Sequence, residues 1–192
     1  MAELKQGCTV KVTYYTISLD PEASDCMAVC DYELGEFNSL DIVTRPDRIG
    51  EFPSTVQLVL SNGAKPDFIG NPLSWPICSE RLIKAVAPFL ADVEILSVPL
   101  KTAYGPVSGF CVLHTLVHID ALDRKKSDIQ YFDDGSIECV YKVRVDSSRV
   151  KGRDFFRILD WPYELLISQR VADAIVDAKV GRGIAFLRRT DD

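Results

Sequence analysis

One short element occurs twice in this chain, at a constant offset and without a gap: Ser79-Glu80-Arg81-Leu82-Ile83-Lys84-Ala85-Val86 and Ser168-Gln169-Arg170-Val171-Ala172-Asp173-Ala174-Ile175. In each copy a Ser occupies the place of a helix N-cap, an Arg follows two positions later, and apolar residues then recur at helical spacing. Ile95 and Ile184 mark equivalent following strands. Upstream, an Asp-Phe pair (Asp67-Phe68, Asp154-Phe155) and a Trp-Pro pair (Trp75-Pro76, Trp161-Pro162) recur at nearly the same offset. The duplication reports architecture, a fold of two related halves, and says nothing of chemistry. An Arg in a first helical turn opposes the helix dipole, so Arg81 and Arg170 each call for a compensating acid or carbonyl. The co-duplicated Asp67 and Asp154 are the natural partners, which makes all four structural residues.

A chain of 192 residues buries roughly 70% of its unfolded surface in one core. One domain over 1–192, with internal halves at approximately 1–105 and 106–192, is the economical reading. No segment approaches the ~20 consecutive apolar residues of a membrane span, and the start, Met1 to Gly7, has no basic region leading into an apolar run. The expectation is a cytoplasmic protein with no membrane partner. The six cysteines, Cys8, Cys26, Cys30, Cys78, Cys111 and Cys139, are too few for a disulfide scaffold and read as free thiols.

Charge is unevenly placed. Between Asp20 and Glu51 lie nine acids (Asp20, Glu22, Asp25, Asp31, Glu33, Glu36, Asp41, Asp47, Glu51) against two bases, Arg45 and Arg48, in a chain whose net charge is −6. The rest of the chain is therefore close to neutral. Such asymmetry argues against nucleic-acid binding and suits either a solvated acidic face or docking against a basic partner.

Hydrophobic periodicity predicts an α+β fold, mainly antiparallel sheet with two principal helices. Strands are expected at Thr9–Ser18, Met27–Leu34, Leu40–Thr44, Thr55–Leu60, Val93–Leu100, Phe110–Ile119 and Ile184–Leu187, with an irregular connection over Lys65–Pro72. Asp128–Phe132 and Ile137–Val145 frame Asp133-Asp134-Gly135-Ser136 as a hairpin. The first helix starts at Ser79 and stops or kinks near Ala87, because Pro88 removes a hydrogen bond and clashes with the preceding turn. The second runs from about Ser168 to Lys179, with Gly181 placed for a left-handed C-cap.

No constellation amounts to an active site. His114 and His118 lie four apart without the helix and adjacent Glu of a zinc-protease motif, and on one strand they stand more than ~13 Å apart. Cys26 and Cys30 lack the spacing of a metal or redox pair. Gly105-Pro106-Val107-Ser108-Gly109 misses the nucleophile-elbow pattern, and Gly181-Arg182-Gly183 lacks the rest of a dinucleotide fingerprint. Asp133 and Asp134 occupy an exposed hairpin tip that raises neither pKa. Lys142, Arg144, Arg149, Lys151, Arg153 and Arg157 alternate as one solvated strand face. The expectation is no catalytic residue, no metal and no cofactor.

One stretch is distinctive: Lys65-Pro66-Asp67-Phe68-Ile69-Gly70-Asn71-Pro72-Leu73-Ser74-Trp75-Pro76-Ile77-Cys78-Ser79-Glu80-Arg81-Leu82. It resembles the signature of immunity protein family eleven, found in bacterial polymorphic-toxin and type VI secretion systems. The similarity continues through Gly109 to Asp123, with its Ile119-Asp120-Ala121-Leu122-Asp123 end, and through Phe155-Phe156-Arg157-Ile158 and Ser168-Gln169-Arg170-Val171, covering about Ser54 to Leu187. The resemblance implies a small cytoplasmic protein that binds and neutralises a cognate toxin, encoded next door, by stoichiometric complex formation. Alternatives are an uncharacterised cytoplasmic enzyme, which would show a concave site with a perturbed titratable pair, and an adaptor subunit of a secretion locus, which would bind several proteins. For the toxin reading, the best candidate surface is the acidic segment, centred on Asp31, Glu33, Glu36 and Asp41, since carboxylates steer association with basic partners.

Overall fold

The computed structural model describes residues 12–23 and 26–190. The chain runs β1 (Tyr14–Leu19), β2 (Val29–Glu33), α1 (Asp41–Thr44), β3 (Gln57–Leu60), β4 (Phe68–Ile69), β5 (Ile77–Ser79), α2 (Glu80–Val86), a 3-10 turn (Ala87–Phe89), β6 (Val93–Ser97), β7 (Leu100–Thr102), β8 (Gly105–Val107), β9 (Phe110–Thr115) and β10 (His118–Ile119). It continues through β11 (Asp128–Tyr131), β12 (Ile137–Lys142), α3 (Ser147–Val150), β13 (Phe155–Ile158), β14 (Trp161–Ser168), α4 (Gln169–Asp177) and β15 (Ile184–Arg188). This is an α+β fold of mostly antiparallel sheets, in which α2 and α4 are the two principal helices.

The duplication is visible as two sheets with the same strand plan. One has the order β4-β5-β9-β6 and the other contains β13-β14-β1-β15, with β10 added parallel beside β13. All three pairings within each four-strand set are antiparallel. A short hairpin leads into a serine-capped helix, the helix returns to a strand, and one further strand inserts between hairpin and return strand. In the first sheet that inserted strand is β9, which follows the repeat; in the second it is β1, from the start of the chain. The sheets therefore do not divide at residue 105, because each borrows a strand from beyond the expected boundary. Residues of both sets, including Ile17, Leu82, Val86, Leu113, Phe155, Ile167, Val171 and Ile175, share one buried cluster.

The caps carry the repeat at atomic level. The Ser79 hydroxyl accepts from the Leu82 N–H (3.2 Å) and donates to Asp67 Oδ1 (2.7 Å). The Ser168 hydroxyl accepts from the Val171 N–H (3.4 Å) and donates to Asp154 Oδ1 (2.6 Å). Each cap N–H also donates to the carbonyl of its own Asp. A serine cap stabilises a helix by about 1 kcal/mol, and here each capping hydroxyl is itself oriented by a carboxylate. The Trp-Pro pairs are not equivalent in place: Trp75 lies in the turn before β5, whereas Trp161 opens β14.

Several expected elements differ. Leu40–Thr44 is not a strand: Asp41–Thr44 forms a single helical turn, closed by Thr44 N–H to the Leu40 carbonyl (2.8 Å) and the Asp41–Arg45 ion pair one turn apart (2.9 Å). The connection over 65–72 contains β4. Phe110–Ile119 breaks at Leu116-Val117, so β9 and β10 belong to different sheets. At the end of α4 the left-handed residue is Lys179 (φ 53°), not Gly181. Lys179 N–H reaches the Val176 carbonyl and Val180 N–H the Ile175 carbonyl, the two bonds of a Schellman cap. The basic run is not one strand face, since its residues are spread over β12, α3 and β13, and Arg157 is wholly buried. Cys30, Cys78, Cys111 and Cys139 are free thiols. The expected strand start at Thr9, as well as Cys8 and Asp25, lies outside the described residues.

Candidate functional site

The segment that follows β2 carries little regular structure of its own. Gly35 turns it with φ 59°, a conformation L side chains rarely adopt, and a Cβ there would stand 2.5 Å from Thr55 Oγ1. The chain then passes Phe37, makes α1, and returns through Ile49 to Pro53. Between the two arms lies a groove of about 680 Å³ lined by Gly35, Glu36, Phe37, Asn38, Asp41, Arg45, Ile49, Glu51, Pro53 and Thr55. Phe37 and Ile49 give it an apolar floor packed on the core. Glu36, Asp41 and Glu51 give it an acidic rim, with Arg45 offsetting part of the Asp41 charge.

Side chains from the turn before β5 and from strands β6 and β9 hold this segment by its backbone. Trp75, 1% exposed, stacks on Phe52 (5.2 Å between centroids), meets Phe37 edge-on, and donates its indole N–H to the Ser39 carbonyl at 2.8 Å. The Asn71 amide fixes the turn that presents Trp75, donating to the Ile69 and Trp75 carbonyls and accepting from the Leu73 and Trp75 N–H groups. On β6 and β9, Glu94 and His114 are cross-strand partners, and both are buried. Glu94 accepts from the N–H of Ile49 (2.8 Å) and Gly50 (3.1 Å), and the His114 nitrogens face the carbonyls of Ile42 (3.1 Å) and Asp47 (2.9 Å). A neutral imidazole donates to only one of those carbonyls, the cation to both. Pinning the main chain in this way leaves the acidic side chains free to face outward, which is how loops on a rigid scaffold are prepared for recognition.

Of the four residues expected at an interface, Glu36 and Asp41 line the groove together. Asp31 and Glu33 stand apart from it, exposed on β2, the edge strand of the β2-β3-β7-β8 sheet. Sequence reasoning did not single out Glu51, Glu94, His114 or Trp75 for this site. Glu94 was the most legible of them, as a carboxylate inside an otherwise apolar strand.

The structural quartet divides. Arg170 donates to both oxygens of Asp154, at 2.9 and 2.8 Å. Arg81 makes no such pair and acts on Asp67 only through its charge. Asp67 Oδ2 instead accepts from the N–H groups of Gly181 (2.9 Å) and Arg182 (3.2 Å). Burial alone would raise the Asp67 pKa, yet the Ser79, Gly181 and Arg182 hydrogen bonds with the Arg81 charge carry it below its ordinary value. Among the described residues no group of three or more His, Cys, Asp or Glu is placed to hold a metal ion, and no helix is long and apolar enough to cross a membrane.

A groove of this kind suits recognition by charge and shape, since an apolar floor with an acidic rim accepts the stem and head of a Lys or Arg side chain. The family model described as Immunity protein family (Imm11) matches residues 35–191, and the chain belongs to that family of immunity proteins. No curated protein matches the chain.

Proposed function

We propose that this protein neutralises a cognate bacterial toxin by forming a tight one-to-one complex, with the acidic face of residues 29–55 turned toward a basic surface of the toxin. It acts by occupancy, blocking or distorting the toxin's active site, without turnover and without a cofactor. Its setting is the cytoplasm of a cell that makes the toxin, in a polymorphic-toxin or type VI secretion locus where the toxin gene lies alongside. The single domain spans the chain, and neither nucleic acid nor membrane is a partner.

Membership of the immunity family carries this reading. The match begins at Gly35, where the groove begins. The localised acidity and the backbone clamps support it: long-range attraction raises the rate of encounter, and a loop already held in its bound form loses less entropy on docking.

Coexpression of the neighbouring toxin with this protein in a sensitive host tests the reading. Rescue is expected to require a stoichiometric amount of the protein and to track the amount of complex recovered. Rescue by a small catalytic amount, with the toxin or its target chemically altered, would sink it in favour of an enzyme.

A further inference from the structure

Arg157 lies in the middle of β13 and is 0% exposed. Phe156 and Ile158 on either side of it belong to one buried cluster, and the β13–β14 pairing shifts register across it. Nη1 donates to the Pro162 carbonyl at 2.6 Å, while Nε and Nη2 are buried without any hydrogen-bond partner. Among the described residues, no carboxylate stands within salt-bridge distance of it. Burial lowers its pKa to about 9, which still leaves the guanidinium charged at neutral pH. A buried cation with two idle donors and no counter-charge is the costliest arrangement a core can hold, and proteins resolve it by pairing or by binding an ion.

A second idle group stands beside it. His118 is the register partner of Arg157 on the parallel strand β10, so the two side chains leave the same face of the sheet. His118 Nε2 is also buried without a partner. The Nε–H and one Nη2–H of a guanidinium lie parallel along one edge, the fork that receives anions. This edge and the imidazole in its Nε2–H tautomer together supply three donors.

We propose that Arg157 and His118 form an internal site for a small monovalent anion of the halide class, chloride under physiological conditions, bridging β10 and β13. All three donor atoms are buried, so an ion held there sheds its hydration shell, which costs a singly charged halide less than a multiply charged oxyanion. This proposal is independent of toxin binding and is tested without a toxin. Anion and proton are linked at His118, whose pKa is pushed down to about 4 by burial first, then by the charges of Arg157 on β13 and His114 on β9. An anion that neutralises Arg157 raises that value, and reciprocally a lower pH tightens anion binding.

Crystals of the full chain grown or soaked in bromide give the direct readout, with an anomalous peak expected within hydrogen-bond distance of Arg157 Nε, Arg157 Nη2 and His118 Nε2. In solution, the thermal midpoint of the wild type is expected to rise saturably as chloride replaces gluconate at constant ionic strength. Arg157→Met should abolish that response. If Arg157→Met does not fold, His118→Asn should weaken chloride binding about tenfold. The His118 ring titration, followed by NMR in wild-type protein, is expected to move upward in chloride. Water alone at the site in bromide crystals, a chloride response unchanged in the variants, or a His118 titration indifferent to chloride would overturn the proposal.

Discussion

Asp67 and Gly181, at opposite ends of the duplicated region, are joined by a hydrogen bond of 2.9 Å from the Gly181 N–H to the Asp67 carboxylate. The same carboxylate orients the α2 cap through Ser79. One side chain therefore couples the start of the first helix to the turn after the second. Its counterpart Asp154 serves only its own half, because its outer oxygen is taken by the exposed Arg170.

This asymmetry predicts unequal costs for the same substitution. Asp67→Asn turns an amide N–H₂ toward two backbone N–H donors and is expected to destabilise by about 2–4 kcal/mol. Asp154→Asn loses a solvent-screened ion pair and keeps its cap acceptor, and should cost about 1 kcal/mol or less. Urea midpoints of the two variants provide the comparison. The Asp67 pKa is lowered on folding, so its contribution is present above about pH 4, the ordinary carboxyl value, and is lost as pH falls through the lower folded value. Asp67→Asn should lose this part of the acid sensitivity.

The Glu94–His114 clamp predicts a local effect. Glu94→Ala removes the acceptor for the Ile49 and Gly50 N–H groups, and His114→Phe keeps ring volume while releasing the Ile42 and Asp47 carbonyls. Hydrogen exchange at Ile49 and Gly50 should quicken by about tenfold or more in Glu94→Ala, as the loss of one charge-assisted bond implies. The amides of β6 and β9 should keep their protection. An equal loss of protection across both strands would mean that the pair supports the sheet and not the loop.

What the sequence made legible is what is decided locally. Ser79 and Ser168 announced their helices because a cap and its apolar stripe lie within one or two turns, and Pro88 marked the end of α2 because its ring forbids continuation wherever the helix packs. Elements decided by distant partners were not legible. Asp41–Thr44 is too short to show a period, and its turn is closed by an ion pair and burial of Ile42 and Val43 under other segments. Arg157 closes a run of bases that begins at Lys142, so composition placed it outside; only the pairing of β13 between β10 and β14 encloses it. The exchange of β1 and β9 between sheets is likewise a tertiary choice. Within the candidate site, the acidity of Glu36 and Asp41 was readable, but the side chains that position them come from a turn and two strands far along the chain.

The groove and the edge strand can be separated by charge reversal. Changing Asp31, Glu33, Glu36 and Asp41 together to Lys should slow toxin capture by about tenfold or more at low salt, with the difference shrinking as salt screens the field. The pair Glu36→Lys with Glu51→Lys, on facing arms of the groove, should account for more of the loss in complex lifetime than Asp31→Lys with Glu33→Lys on β2. Association and dissociation rates measured across a salt series decide the matter. Unchanged rates in all folded variants would place the interface elsewhere.

His118 gives the fold a defined acid response. Its pKa is about 4 in the folded protein against about 6.5 in an unfolded chain, so between those values the unfolded state binds a proton that the native state does not. Stability should therefore fall as pH drops from about 6.5 toward 4, and this group should add no slope above that window. The measurement is the urea midpoint against pH in chloride-free buffer, where no anion can offset the Arg157 charge. His118→Asn should flatten the profile between pH 4 and 6.5 while leaving the loss below pH 4 that Asp67 contributes. A wild-type profile already flat through that window would show that His118 titrates normally and that Arg157 and burial do not hold its proton off.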